Sequence, residues 1–246
     1  MDKFLYVAMS GAKETLRAQA SNSHNLANAS TTGFRADLAA FMTRSIQGPG
    51  YDTRAYATTS TLGFNDQSGA IVSTGRDLDV AINGDGWIAV QAPDGSEAYT
   101  RAGDLRIDTT GQLRNGAGHA VLGDDGPLIV PPSTSLMIGT DGSISIVPPG
   151  QGPETLATVG RIKLVNPQSS QLERGTDGLF RLRDGGLAEP DAAVRVAPGS
   201  LESSNVNTAE AMVNMIELAR RFDLQVRTMQ NAEQNAKVAA SLLRVG

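Results

Sequence analysis

The feature that most limits how this chain can fold is a long apolar repeat in residues 207–246. Apolar residues recur there at alternating intervals of three and four, with Glu233 as the polar member of the series. The apolar members are Met212, Met215, Ala219, Phe222, Val226, Met229, Ala236, Ala240 and Leu243. This spacing is typical of a coiled-coil seam, and residues 207–245 contain no Gly or Pro. It predicts a helix of roughly 55 Å that needs a partner helix. Asn207 and Glu210 have the spacing of a capping box at its start.

A second and weaker apolar series lies near the N-terminus. Its apolar members are Leu5, Met9, Ala12, Leu16 and Leu26. Gln19 and Ser23 continue the same spacing as polar layers, which lower the stability of a seam but can fix its register. We therefore expect an amphipathic helix from about residue 3 to about residue 27.

Two arrangements can bury the apolar stripes of such a pair of terminal helices. The helices can pack as a hairpin within one monomer, or each can pack against helices of neighbouring molecules. Narrow seams on long helices leave much apolar surface uncovered when no third helix is present. Packing between molecules is therefore favoured.

The segment that follows the first helix changes in character twice. The helix is expected to end in the polar loop 28–33, where Gly33 suits a positive φ. Residues at helical spacing, which predict a short second helix, are Phe34, Leu38, Phe41 and Met42. Residues 46–75 are rich in Gly, Thr, Ser and Asp, and this composition predicts an extended linker.

From residue 76 onward the hydrophobic period becomes two. Short alternating segments between Gly-containing turns are typical of antiparallel strands, and residues 93–96 mark a strong hairpin turn. The expected strands are 78–82, 87–91, 98–101, 105–107, 120–122, 128–130, 136–138, 144–146, 160–165 and 178–182. Aromatic residues make up only 4% of the chain, so the core must rest on Val, Ile, Leu and Ala.

The predicted fold class is α+β, with a discontinuous helical domain around an inserted β-domain. Residues 1–45 and 201–246 form the coiled-coil-type helical domain, residues 46–75 the linker, and residues 76–200 an outward-facing antiparallel all-β domain. Residues 46–200 carry 11 basic and 18 acidic side chains, whereas each end is nearly neutral. This asymmetry favours a solvated middle and packed ends.

Composition excludes several classes of function. The absence of Cys removes disulfides, thiolate nucleophiles and cysteine metal sites. A net charge of −5 argues against general nucleic-acid binding. The sequence has no apolar run long enough to span a membrane, so we expect no membrane insertion. An amphipathic pattern follows Lys3 where a cleavable signal would need a continuous apolar region, so no such signal is predicted.

No group of residues in the sequence assembles a catalytic or metal site. Ser10 and Lys13 fit the Ser-x-x-Lys pattern of serine acylases, but the partner motifs Ser-Asp-Asn and Lys-Thr-Gly are missing. His24 and His119 are the only histidines, and the paired aspartates lack the spacing of a calcium loop. We expect no enzymatic activity, no cofactor, no metal and no small-molecule substrate.

Three separated motifs carry a resemblance to a known family. They are His-Asn-Leu-Ala-Asn-Ala-Ser-Thr-Thr-Gly-Phe at 24–34, Asp-Val-Ala-Ile-Asn-Gly-Asp-Gly-Trp at 79–87 with Tyr-Thr-Arg-Ala-Gly at 99–103, and Leu-Glu-Ser-Ser-Asn-Val-Asn at 201–207. In this order they resemble the axial proteins of the bacterial flagellum, which are the rod, hook and hook-associated proteins. His24 departs from the family's usual Asn. The resemblance places Asn25 and Asn28, together with both apolar series, at the assembly interface.

The resemblance implies a structural role. Length, the short linker and Trp87, where relatives usually carry Phe, are most similar to proximal rod proteins. The distal rod proteins and the longer hook proteins are the alternatives. Members are exported unfolded through the flagellar type III apparatus without a cleaved signal. They assemble helically, with copies of themselves and with other rod proteins, into a periplasm-spanning shaft that transmits torque.

A function of a different class also fits the residues. In that interpretation the chain is a soluble adaptor, in which the helices dimerise and the β-domain binds a ligand. Concentration behaviour distinguishes the two. A dimeric adaptor folds its helices at micromolar concentration. A rod subunit instead stays monomeric, and its terminal helices are not packed against a partner.

Overall fold

The computed structural model describes residues 2–45, 55–152 and 155–244, which form two compact units. The helical unit comprises Met1–Ala29, Ala36–Phe64 and Val206–Gly246. The β unit comprises Ser30–Arg35 and Asn65–Asn205. The sequence predicts domain boundaries near residues 45, 75 and 200. This division into domains stays a prediction.

The helical unit contains two long helices and one hairpin. Helix α1 is Asp2–Ala27 and helix α2 is Thr208–Arg244, which agrees with the helices expected at both ends. Strands β1, Asp37–Ser45, and β2, Ala55–Phe64, pair antiparallel. Helix α1 packs against α2 and against β2.

One side chain fixes the start of α2. The Oδ1 of Asn207 accepts hydrogen bonds from the backbone N–H groups of Ala209, at 3.1 Å, and Glu210, at 3.2 Å. Two backbone donors at the helix start are thereby satisfied, as the sequence predicts for a capping residue. The reciprocal contact of the Glu210 side chain stays a prediction.

The short helix predicted over residues 34–42 is wrong, because most of this stretch belongs to strand β1. A helix of nine residues is marginal by itself, whereas β1 pairs with β2 from Asp37↔Phe64 to Ser45↔Ala55, with one register shift between Leu38 and Ala39. The predicted linker also contains regular structure. Its described part carries β2 and a further strand, β3, Ile71–Ser73, while residues 46–54 lie outside the described residues.

The β unit is built from short antiparallel strands. After β3 they are β4 Val80–Asn83, β5 Trp87–Gln91, β6 Glu97–Thr100, β7 Arg106–Ile107, β8 Leu113–Arg114, β9 Ala120–Gly123, β10 Gly126–Pro127, β11 Ser135–Ile138, β12 Ser143–Val147, β13 Ala157–Arg161, β14 Leu164–Val165, β15 Leu172–Arg174, β16 Phe180–Leu182, β17 Arg195–Pro198 and β18 Ser200–Glu202. The largest sheet has the order β15-β16-β6-β5-β9-β8-β7, with β10 on β9 and β14 on β5. Strands β11-β12-β13 form a second sheet, and β17-β4 and β18-β3 form two pairs.

The β core is aliphatic, as the low aromatic content predicts. Its fully buried members include Val80, Ile82, Ile88, Val90, Leu105, Leu113, Val121, Ile144 and Ile162. Most expected strands are present. The expected strand 128–130 is replaced by β10 and an isolated bridge between Gln112 and Ile129, and the expected strand 160–165 is divided between β13 and β14. Strands β3, β8, β15, β17 and β18 were not predicted.

Candidate assembly interface

Helix α1 packs against α2 and buries mainly small side chains. The buried residues of α1 include Ala8, Ala12, Thr15 and Ala18. The Asn22 amide donates a 2.7 Å hydrogen bond to the carbonyl of Ala211, and Gly11 lies against the amide of Gln225. These contacts run in opposite chain directions, so the helices are antiparallel. Small residues let the two backbones approach closely but bury little apolar area.

The predicted stripe of α1 is only partly covered by this packing. Leu5, Met9 and Leu16 are 41%, 52% and 50% exposed. Ala12 is buried and Leu26 is half-buried. The buried face therefore lies about one residue towards the N-terminus of the predicted seam, at Ala8 and Thr15 rather than at Met9 and Leu16, and the large apolar side chains point elsewhere.

The predicted stripe of α2 is half-buried at most of its described positions. Its half-buried members are Met215, Phe222, Val226, Met229 and Ala236. Met212 and Ala219 are exposed, while the preceding residues Ala211 and Leu218 are buried. The side chains of Ala240 and Leu243 lie outside the described residues.

A second apolar face of α2 was missed by the sequence analysis. Val213, Ile216, Leu224 and Val238 are each more than half exposed. Their spacings of 3, 8 and 14 residues bring them to one side of a helix with 3.6 residues per turn. This spacing was the available signal, but it is sparser than the main stripe. Helix α2 is thus apolar on two faces, and α1 covers one of them.

Asn25 and Asn28 have contacts within their own chain. The Asn25 amide donates to the Asp37 carbonyl at 3.0 Å, and the Asp37 N–H donates back to Asn25 Oδ1 at 2.8 Å. His24 Nδ1 lies 2.9 Å from the Asp37 carboxylate. Asn28 donates to the His24 carbonyl at 2.9 Å. Asn25 and His24 therefore fasten the end of α1 to the start of β1, whereas the Asn28 contact returns to the end of α1 itself. A role in contacts between subunits remains a prediction.

Comparison with known families matches three segments of the chain. Residues 5–35 match the family described as "Flagella basal body rod protein". Residues 81–146 match "Flagellar hook protein FlgE/F/G D1 domain", and residues 197–242 match "Flagellar basal body rod FlgEFG protein C-terminal".

Comparison with individual proteins decides between the members of this group. The chain is 45% identical to the flagellar basal-body rod protein FlgF of Escherichia coli K12 over 249 aligned residues, which cover 99% of both chains. The chain belongs to the FlgF family of flagellar basal-body rod proteins. FlgF of Salmonella typhimurium LT2 is 43% identical, also over 99% of both chains. A FlgG of Buchnera aphidicola is 33% identical over 86% of this chain and 88% of its own.

Membership in the FlgF family confirms the predicted structural role. The chain is a structural, non-enzymatic subunit of the flagellar basal-body rod, and it assembles with other rod proteins. Within the described residues, no helix is both long and apolar enough to cross a membrane. The described part of the chain also holds no group of three His, Asp or Glu side chains placed to bind a metal ion.

One residue from each of the three matched segments contributes to a buried charged cluster in the β unit, which the sequence analysis did not foresee. Glu202 Oε1 lies 2.6 Å from Arg35 Nη1, and Glu202 Oε2 lies 3.0 Å from Arg101 Nη1. Arg35 and Glu202 are fully buried, and Arg101 is nearly so. Burial lowers the pKa of Arg101, and Glu202 opposes that effect. We call these three side chains the Glu202 cluster.

Alternating cationic and aromatic side chains extend the Glu202 cluster. The Arg101 guanidinium lies 5.4 Å from the centre of the Trp87 ring, and Trp87 packs on Phe180 at 4.5 Å between ring centres. Arg174 lies between Phe180 and Phe34, at 4.9 and 4.7 Å from the ring centres. Arg174 also donates to the carbonyl of Arg35. Trp87 is the chain's only tryptophan, so it is a natural reporter of this stack.

Proposed function

We propose that this chain assembles helically in the proximal rod through α1 and α2, with copies of itself and with neighbouring rod proteins. The resulting shaft transmits torque. Contacts of this kind are heterologous and do not close, so subunits can be added in succession along one axis.

The observation that supports this proposal most directly is the uncovered apolar surface of both helices. Leu5, Met9 and Leu16 on α1 are about half exposed, although each is a large apolar side chain. The second face of α2, with Ile216 near its N-terminal end, is likewise exposed. Extended apolar surface of this kind marks an interaction site. Helices from other subunits are the partners that match its length and spacing.

Export through the flagellar type III apparatus is part of the same proposal. The chain has no Cys and so needs no oxidative folding on the far side of the membrane. The exposed apolar faces of α1 and α2 would be buried only when the subunit joins the growing rod. Folding of the helical ends would then be coupled to assembly.

A charge on the exposed helix faces tests the proposal. We expect Leu16→Asp and Ile216→Asp to prevent rod assembly, because each places a carboxylate in an apolar contact between subunits. Both side chains are at least half exposed in the single chain, so its fold should survive. Rods would be counted by electron microscopy of basal bodies, and swimming would be followed in soft agar.

Two controls make the result interpretable. Leu16→Met and Ile216→Leu keep the sites apolar and should preserve rods. The emission of Trp87 in the purified variants checks that the β unit is intact. Normal rods in both aspartate variants would show that these faces do not join subunits.

A further inference from the structure

The chain passes between its two units four times, and each pass begins or ends in one small region of the β unit. The passes follow residues 29, 35, 64 and 205. The β-unit segments next to these passes are therefore 30–35, the stretch that begins at residue 65, and the stretch that ends at residue 205. We call these three stretches the connecting segments. They have little regular structure of their own. Side chains and single backbone contacts must hold them in place.

Backbone contacts join these segments to one another. The Gly33 N–H donates to the Glu202 carbonyl at 2.8 Å, and the Asn205 N–H donates to the Phe34 carbonyl at 3.2 Å. The Asn205 amide donates to the carbonyls of Asn65, at 3.0 Å, and Gln67, at 2.8 Å. Gly33 has a φ of 66°, and a Cβ atom there would collide with the backbone of Arg101. The close approach therefore requires glycine.

The Glu202 cluster lies at the centre of these contacts. Besides its two arginine partners, Glu202 Oε1 accepts a 2.9 Å hydrogen bond from the Gly69 N–H. Arg35 Nη1 also donates to the Gln67 carbonyl at 2.7 Å, and Arg101 Nη2 donates to the Gly84 carbonyl at 2.9 Å. One buried carboxylate thus connects all the segments that continue into the helical unit with strands of the β core.

We propose that Glu202, Arg35 and Arg174 hold the connecting segments in place in the β unit. In this role they carry mechanical load from the connecting segments into the β unit. This inference rests on the proposed torque-transmitting function. Charge-assisted and bidentate hydrogen bonds are stronger and more directional than neutral ones, so they resist displacement of a segment under force. The Arg174 guanidinium, stacked between two rings and bonded to the Arg35 carbonyl, supports the segment 30–35 from the other side.

An ion pair that only stabilises the β core would give the same burial, so the experiment must separate the two roles. Glu202→Gln in the full chain removes the charge and keeps the shape. By hydrogen exchange, we expect the amides of Gly33, Gly69 and Asn205 to exchange at least roughly tenfold faster, with the core amides of β5 and β9 unchanged. The control is Glu173→Gln, which changes an exposed carboxylate of the same unit.

Arg174→Lys is the second variant, in case Glu202→Gln does not fold. It keeps the charge but loses the planar group that stacks between Phe34 and Phe180. Faster exchange of Gly33 and a shifted Trp87 emission are expected. The load-carrying role would be wrong if Gly33 and Gly69 keep wild-type exchange in both variants, or if the β core loosens by the same factor.

Motility under load tests the role in the cell. Cells carrying Glu202→Gln should assemble rods and swim normally in dilute buffer. In viscous medium they should lose swimming speed more steeply than wild-type cells. Equal speeds at all viscosities would contradict load carrying. Since rods would still be present, that result would leave the proposed assembly through α1 and α2 untouched, which the Leu16 and Ile216 variants test separately.

Discussion

Tyr99 shows how strongly its surroundings in the β unit act on a single side chain. It is buried in β6. Its hydroxyl accepts a 2.7 Å hydrogen bond from the Ala188 N–H and donates a 3.0 Å bond to Glu97. Glu97 in turn pairs with Lys163 at 2.8 Å. Burial raises the pKa of Tyr99 to about 12, and the negative charge of Glu97 acts in the same direction.

This raised pKa predicts an alkaline limit to the stability of the β unit. A folded-state pKa above the ordinary value of 10 means that the neutral phenol stabilises the fold. That contribution is fully present below pH 10 and is lost as the pH rises through about 12. Absorbance at the tyrosinate band should therefore show a late titration step that is absent from Tyr99→Phe and retained in Tyr6→Phe. A late step that persists in Tyr99→Phe would contradict the assignment.

At the same scale, the motif around Asn25 predicts the family but not the residue that Asn25 contacts. The run of residues around Asn25 identifies the family, so it marks the residue as important. Its partner, however, is the backbone of Asp37, twelve positions away and in a strand that periodicity misread as a helix. The contact depends on β1 being a strand, and so it could not be predicted from the motif alone.

At the scale of elements, the extent of both helices was predicted well. Apolar spacing located both helices, since it depends only on helical geometry. It could not tell which of two adjacent positions faces the partner. Within one chain Ala8 and Thr15 are buried while Met9 and Leu16 are about half exposed, so the role of the predicted stripe in contacts between subunits stays a prediction.

Overpacking this helix contact should measure how closely the helices fit. Ala12 is 6% exposed, and Ala12→Leu would insert a larger side chain at this buried position of α1. We expect a loss of about 1–3 kcal/mol in the free energy of unfolding of the helical unit. Denaturant titration followed by helical circular dichroism would measure it. Met9→Leu, at an exposed site on the same helix, is the control and should change little. Equal stability of both variants would mean that α1 and α2 do not pack through Ala12.

Strand β1 illustrates a different limit of sequence reasoning. Phe34, Leu38, Phe41 and Met42 satisfy helical spacing by coincidence, because four apolar residues over nine positions are too few to fix a period. The ladder with β2 decides the outcome, and β2 lies beyond residues 46–54 in a segment whose composition predicts a linker. Pairing between segments that are distant in sequence overrides a weak local pattern.

At the scale of the whole molecule, the sequence predicts the class of fold and the family more readily than the sites that join the parts. Three motifs in order identify a flagellar axial protein, and strand periodicity predicts most of the β unit. The Glu202 cluster brings together residues 35, 101 and 202, one from each motif region. No periodicity relates such positions. Their meeting follows only from the tertiary fold.

The contrast between the two units leads to a prediction for the free protein. The β core buries large aliphatic side chains such as Ile88 and Leu113, whereas the buried residues of α1 and α2 are mainly alanines. Burial stabilises roughly in proportion to apolar area, so the helical unit should open more often. At low micromolar concentration, we expect amides of residues 5–27 and 208–238 to exchange roughly 100-fold faster than those of β5 and β9, which corresponds to about 3 kcal/mol.

The level of protection in the helices also bears on assembly. Fast exchange would mean that one chain alone covers too little of α1 and α2 to hold them closed. Neighbouring subunits would then supply the missing cover in the rod, and protection should rise on assembly. Helices protected as well as the β core would mean that pairing within one chain is sufficient. The exposed faces at Leu16 and Ile216 would then need another explanation, and a soluble dimerising protein would account better for long, independently stable helices.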